Sequence, residues 1–241
     1  MKVVAFIPAR FGSTRLEGKP LMDIKGKPMV QHVYERVARA ETLSDVTVAT
    51  DDERIKRAVE AFGAKAVMTS RTCRTGTERV AEAATGVEAD IVVNVQGDEP
   101  LIDPALVDDV VRPLMDDPEL SLSTPATIID NPDEFRDPNV VKVVVDTRGN
   151  ALYFSRSPIP YHRHPSGGPL STAYKHIGLY VYRKDVLLRL AAMPPTPLEE
   201  AESLEQLRAL ENGFRIRVVK TSYNPASVDT PEDLDRVRGM L

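Results

Sequence analysis

Apolar residues arrive along this chain in short unbroken runs, separated by stretches with helical spacing. Val3-Val4-Ala5-Phe6-Ile7 is continuously apolar, the pattern of a strand buried on both faces. From Pro28 to Ala40, the residues Val30, Val33, Tyr34 and Val37 recur at helical spacing behind a proline suited to a first helical position. Val46 to Ala49 reads as a strand, Asp51 to Phe62 as a helix ended by Gly63, and Ala64 to Met68 as a third strand. Thr77 to Ala84 follows as a helix and Ile91 to Val95 as a fourth strand. Strands that alternate with helices predict a doubly wound, mostly parallel sheet covered on both faces.

The second half changes character. Ser121 to Ile128, Val140 to Asp146 and Ala151 to Ser155 read as strands, with a hairpin loop over Asp146 to Asn150. A loop rich in Pro, His and Gly runs from Ser157 to Pro169 and is the expected mobile segment. His176 to Tyr182 reads as one more strand, and Ala201, Leu204, Leu207 and Leu210 line one face of a predicted helix. Phe214 to Val219 is a late strand and Pro231 to Met240 a closing helix. With no repeat, linker or low-complexity tract, residues 1–241 are expected to form one α/β domain with 121–185 as an inserted mixed β subregion.

Composition narrows the classes. The 42% hydrophobic and 28% charged content is that of a globular chain. A net charge of −5 and the absence of Trp argue against nucleic-acid binding. No apolar run approaches the roughly 20 residues of a bilayer span, and no secretory signal opens the chain. The single Cys73 excludes an intramolecular disulfide. A cytoplasmic protein without membrane insertion is expected.

The candidate chemistry sits where strands end. Pro8 to Pro20 leaves the carboxyl end of the first strand, the side on which open α/β sheets bind ligands. The loop carries Gly12 and Gly18, the hydroxyls of Ser13 and Thr14, and the cations Arg10, Arg15 and Lys19. Glycines admit backbone N–H groups to phosphate oxygens, and the cations neutralise charge. A Walker A loop is ruled out, because five residues rather than four separate Gly12 from Gly18-Lys19, and Pro20 replaces its Ser or Thr. A solvated basic turn needs no convergence of three cations, so a polyphosphate cradle is the favoured reading.

Two aspartates lack a capping duty. Asp98, in Gln96-Gly97-Asp98-Glu99-Pro100, precedes a helix already served by Asp103 at its N-cap and Pro104 at its first position. Asp229 lies just outside a capping box formed by Thr230 and Asp233 around Pro231. Either both are surface loop acids, or they hold Mg²⁺ together with substrate phosphates.

The loop Ile7-Pro-Ala-Arg-Phe-Gly-Ser-Thr-Arg-Leu-Glu-Gly-Lys-Pro-Leu21 resembles the signature of the sugar cytidylyltransferases. Further blocks resemble that family's branch acting on 3-deoxy-manno-octulosonate (KDO). They are Gly76–Arg79, Asn94–Pro100, Val141–Val144, Ala151–Pro160, His176–Tyr180, Leu204–Arg208 and Val228–Leu234, in the family's order across nearly the whole chain. The resemblance implies a nucleotide-diphospho-sugar transferase-like fold, with the mixed β element serving dimerisation and sugar binding. It also implies that CTP and KDO give CMP-KDO and pyrophosphate for lipopolysaccharide synthesis, with Mg²⁺, in a cytoplasmic homodimer. One departure stands out: Glu17 occupies a place where many relatives carry Pro.

The resemblance implies roles residue by residue. Asp98 and Asp229 would be metal ligands; Arg10, Ser13, Arg15 and Lys19 would cradle the triphosphate, and Lys19, Asp98 and Asp229 would be the catalytic residues. Ala9, Thr75, Gly76 and Arg79 would recognise cytosine and ribose; the competing reading makes Thr75 a helix cap and Arg79 an exposed first-turn cation. Arg156 is the expected partner of the sugar carboxylate, since a guanidinium matches it bidentately. Gln96, His176, Tyr180, Glu202 and Gln206 are the candidates for the sugar hydroxyls, with Glu202 and Gln206 expected on one helix face. His176 is otherwise a satisfied core histidine, and His162 and His164 are read as loop surface. The alternatives are an amino-KDO or sialic acid substrate, or a catalytically silent nucleotide-binding relative.

Overall fold

In a computed structural model, residues 1–12, 16–161, 163 and 172–241 are described. The first half runs β1 (Val3–Ala9), the hairpin β2 (Asp23–Ile24) and β3 (Lys27–Pro28), α1 (Met29–Val37), β4 (Asp45–Thr50), α2 (Glu53–Ala61), β5 (Lys65–Met68), α3 (Gly76–Thr85), β6 (Ile91–Asn94) and α4 (Pro104–Asp116). The second half runs β7 (Leu122–Ile128), α5 (Pro132–Arg136), β8 (Lys142–Val145), β9 (Ala151–Ser155), β10 (Tyr174–His176), β11 (Tyr180–Arg183), α6 (Lys184–Ala192), α7 (Pro197–Glu202), α8 (Gln206–Glu211), β12 (Ile216–Thr221) and α9 (Pro231–Met240).

Ten strands form one sheet, in the order β5-β4-β1-β6-β11-β7-β10-β8-β9, with β12 on the other edge of β7. From β5 to β6 every pairing is parallel. From β11 onward the pairings are antiparallel, apart from the parallel β12–β7 pair. The predicted sheet is present, with 121–185 supplying its antiparallel half.

The unbroken apolar runs have the predicted cause. Val3, Ala5, Ile7 and Ala9 of β1 enter one core, while Val4 and Phe6 enter the core on the opposite face. Both faces are covered, so neither can carry polar residues. A third, smaller cluster packs Ile24 and Met29 against Leu234 and Val237 of α9, bringing the C-terminal helix beside the hairpin. The caps are those read from the sequence: Asp103 accepts from Ala105 N, and Thr230 and Asp233 form a reciprocal box.

Two elements depart from the periodicity. The predicted strand over His176–Tyr182 is two strands, broken at Ile177–Leu179, and each half pairs with its own stretch of β7. The predicted helix through Ala201–Leu210 is likewise two, α7 and α8. Ser203 between them is left-handed, with φ of 52°. Apolar spacing continues across the break because both helices bury residues, so periodicity alone does not reveal it.

Candidate active site

The phosphate loop is anchored at its base. Gly18 N donates to Phe11 O at 2.9 Å, and the Arg54 guanidinium stacks 3.3 Å from the Phe11 ring centroid. Gly18 has φ of 68°, and a Cβ there would meet the same ring at 3.1 Å, so glycine is required on two counts. This geometry delivers Lys19 to the start of a short 3₁₀ turn, Lys19–Leu21.

Lys19 gathers the two aspartates. Its Nζ donates to Asp98 Oδ2 at 2.7 Å, to the Val228 carbonyl at 2.7 Å and to Asp229 Oδ1 at 3.2 Å. Val228 N donates to Asp98 O at 3.0 Å, which ties the two loops directly. Gly97 permits the approach to β1, for a Cβ there would stand 2.8 Å from the Pro8 carbonyl. Two carboxylates distant in sequence thus share one cation at the carboxyl ends of β1 and β6.

A cavity of about 360 Å³ opens over this cluster, lined by Ala9, Arg10, Lys19, Thr75, Gly76, Arg79, Asp98 and Asp229 among others. Thr75 does cap α3, accepting from Glu78 N at 3.1 Å. Arg79, expected by the competing reading to be exposed, is buried and donates to Asp51 Oδ2 and Thr69 Oγ1, each at 2.7 Å. Ser13 and Arg15 lie outside the described residues, as do His162 and His164.

A second cavity, of about 530 Å³, adjoins the first and shares Gly76, Gln96 and Glu205 with it. Gln96, His176, Tyr180 and Gln206, four of the sugar-hydroxyl candidates, line it. Gln206 Nε2 is buried without a hydrogen-bond partner among the described residues. His176 lies 2.8 Å from Thr124 Oγ1 through Nε2. The Thr124 hydroxyl donates to the Leu179 carbonyl at 2.7 Å, so Nε2 is the protonated nitrogen. Burial drives the imidazole pKa down to about 3, keeping it neutral.

Arg156 and Glu202 are placed elsewhere: neither lines either cavity. Arg156 spends its guanidinium on main-chain carbonyls, Glu202 O at 2.7 Å, Pro138 O at 2.9 Å and Ser203 O at 3.4 Å. Glu202 accepts from Ser155 Oγ at 2.6 Å and from Arg156 N at 2.9 Å. The break at Ser203 also removes the helix face that Glu202 was expected to share with Gln206.

Four charged residues in the larger cavity, Glu99, Lys175, Glu205 and Arg208, escaped the sequence reading. Glu205 lies at the junction of the cavities, where burial raises its pKa against the opposing hydrogen bonds of Thr77 and Thr75. Its signal was its place next to Gln206, obscured by counting four residues back along one helix. Glu99 is raised to about 8 by burial and then by the neighbouring Asp98 charge. Lys175 donates to Glu134 Oε1 and Asn224 Oδ1, each at 2.9 Å.

Comparison with known proteins gives the family and the fold. A family described as cytidylyltransferase matches residues 4–218. The 3-deoxy-manno-octulosonate cytidylyltransferases of Geobacter metallireducens and Geotalea uraniireducens are each 57% identical; the alignments cover 98% of this chain and 96% and 98% of the relatives. The structure of a CMP:2-keto-3-deoxy-manno-octonic acid synthetase complexed with CTP superposes with a TM-score of 0.95. It is 48% identical, and the match covers 100% of this chain and 98% of that one. A 4-diphosphocytidyl-2C-methyl-D-erythritol synthase from Anaerococcus prevotii, 14% identical at a TM-score of 0.65 over 99% of this chain and 97% of its own, shares the fold alone. The chain belongs to the cytidylyltransferase family.

Proposed function

We propose that this enzyme transfers the cytidylyl group of CTP to the anomeric hydroxyl of KDO, releasing pyrophosphate. The observation that carries the reading is the junction of two polar cavities, one above a lysine held by two aspartates and the other lined with hydroxyl-binding side chains. The names of relatives 57% identical over nearly the full chain supply the two substrates.

The chemistry requires positioning and charge neutralisation rather than a covalent enzyme intermediate. The sugar hydroxyl gives up its proton to solvent as its oxygen forms a bond to the α-phosphorus, the bond from that phosphorus to the bridging oxygen breaks, and pyrophosphate leaves with the electron pair. Arg10 and Lys19 would hold the triphosphate, and Thr75, Gly76 and Arg79 would hold the nucleoside. Gln96, at the shared boundary, would orient the acceptor sugar, with His176, Tyr180 and Gln206 around its hydroxyls.

Mg²⁺ fits the donor set, since Asp98 and Asp229 already converge on one cation and Mg²⁺ takes one or two carboxylates plus substrate phosphates. Among the described residues no cluster of three or more His, Cys, Asp or Glu is arranged to hold a metal. When bound, the ion would offset phosphate charge and polarise the α-phosphoryl group.

The same reading includes cytoplasmic work and a homodimer. Among the described residues no helix is long and apolar enough to cross a membrane. Leu152 on the edge strand β9 is 62% exposed, and covering it would favour a second copy.

The test is pyrophosphate release with Mg²⁺ and KDO, comparing CTP with UTP, ATP and GTP. Release with CTP alone, dependent on KDO, is expected. Release with amino-KDO or sialic acid but not KDO would reassign the acceptor, and no release from folded protein would leave the silent relative.

A further inference from the structure

Lys142 is 0% exposed, yet among the described residues its ammonium forms no ion pair. Its Nζ instead donates to three main-chain carbonyls: Val140 O at 2.6 Å, Arg156 O at 2.6 Å and Asp137 O at 2.8 Å. An ammonium has three donors, so this tripod saturates it. Moving such a cation out of water is costly, and charge-assisted bonds to carbonyls offset that cost only where the geometry is fixed. Burial accordingly lowers the pKa of Lys142.

The three carbonyls belong to segments around the larger cavity. Val140 lines it, together with Asn139 and Val141, and the Val141 carbonyl accepts from His176 N at 2.9 Å. Arg156, whose carbonyl forms the third leg, grips Pro138 O of that wall and Glu202 O and Ser203 O of a second one. The second wall continues through Ser203 to Gln206. None of the three carbonyl-bearing residues lines the nucleotide cavity.

We infer that Lys142 is a positioning residue for the acceptor sugar: its tripod fastens the 137–141 wall to the end of β9, and through Arg156 sets the spacing to the 203–206 wall. The inference rests on the proposed function for the identity of the sugar, but not for the geometry. Losing the tripod therefore weakens acceptor use while nucleotide use stays intact, whereas a residue of general structural importance would affect both.

The experiment compares wild type, Lys142→Met and Lys142→Arg by pyrophosphate release, CTP binding and hydrogen exchange. Lys142→Met keeps the apolar stem and removes the ammonium; it should raise the KM for KDO about tenfold or more, with the KM and Kd for CTP within about twofold. Lys142→Arg keeps the charge with a wider fork and should give a smaller rise, again for KDO alone. Amides of both 138–141 and 203–206 should exchange faster in Lys142→Met, with those of β1 and β6 unchanged. Equal rises for KDO and CTP, or no acceleration in the two walls, would overturn the inference. If Lys142→Met does not fold, an unchanged KM for KDO in Lys142→Arg overturns it. A wild type inactive with CTP and KDO would defeat the functional reading instead, and the exchange result would still decide whether the tripod holds both walls.

Discussion

The two cavities meet at Gln96 and Glu205 but are built on opposite plans. The smaller cavity, proposed above for the nucleotide, lies over the parallel half of the sheet and draws mainly on loops that leave strand ends. Its essential groups are glycines, backbone and a few charges, and one lysine joins them. The larger cavity, proposed above for the sugar, lies over the antiparallel half, where lining side chains are held by others that do not line it. Lys142, Arg156 and Glu202 act behind its walls, and Arg208, which lines it, is paired with the buried Glu199. Anion recognition can be assembled from local motifs. A pocket for several hydroxyls needs a rigid frame, and here that frame is made of buried and half-buried polar groups, most of which lie outside the cavity lining.

The largest expected effect tests the first plan. Asp98→Asn keeps the side-chain shape but removes one of the two charges on Lys19, and turnover should fall by about 10³-fold with the melting curve nearly unchanged. Full activity by pyrophosphate release would show that the two-acid cluster is not central, and the contrast would collapse.

The next tests the frame. The Arg208 guanidinium pairs with Glu199 through Nε at 2.7 Å and through Nη2, and both side chains are buried. Burial works against the Glu199 charge, but the Arg208 fork overrides it and holds that carboxyl below its ordinary range. Arg208→Met strands the buried carboxylate and should cost about 3–5 kcal/mol in urea unfolding. A loss like that of an exposed ion pair, below about 1 kcal/mol, would mean that α7 and α8 do not depend on the pair.

The smallest expected effect concerns pH. His176 in the folded protein refuses a proton down to about pH 3, whereas the unfolded chain takes one near its ordinary value of 6.5. The unfolded state therefore binds more protons between those values, and stability falls as pH drops below 6.5. The slope contributed approaches about 1.4 kcal/mol per pH unit. In His176→Gln the urea midpoint should vary less between pH 7 and 5 than in wild type. Parallel profiles would remove His176 as a source of acid sensitivity in the sugar half.

What the sequence determined by itself is the parallel half and the nucleotide end. Unbroken apolar runs mark strands covered on both faces, and Asp103 and Thr230 with Asp233 mark helix starts, because these signals are local. The loop from Pro8 to Pro20 declared its charge, and the capping residues left Asp98 and Asp229 for other work. Only the tertiary structure decided that these two aspartates meet, since their convergence depends on strand order and on the missing side chain of Gly97. It also decided the sugar wall. The left-handed Ser203 turns α8 away from α7, so Glu202 goes to β9 and Glu205 goes to the cavity. Arg156, chosen for the fork that suits a carboxylate, found three carbonyls instead. A side chain's chemistry can be read from its name, but its partner depends on which segments the fold brings within about 3 Å, the reach of a hydrogen bond.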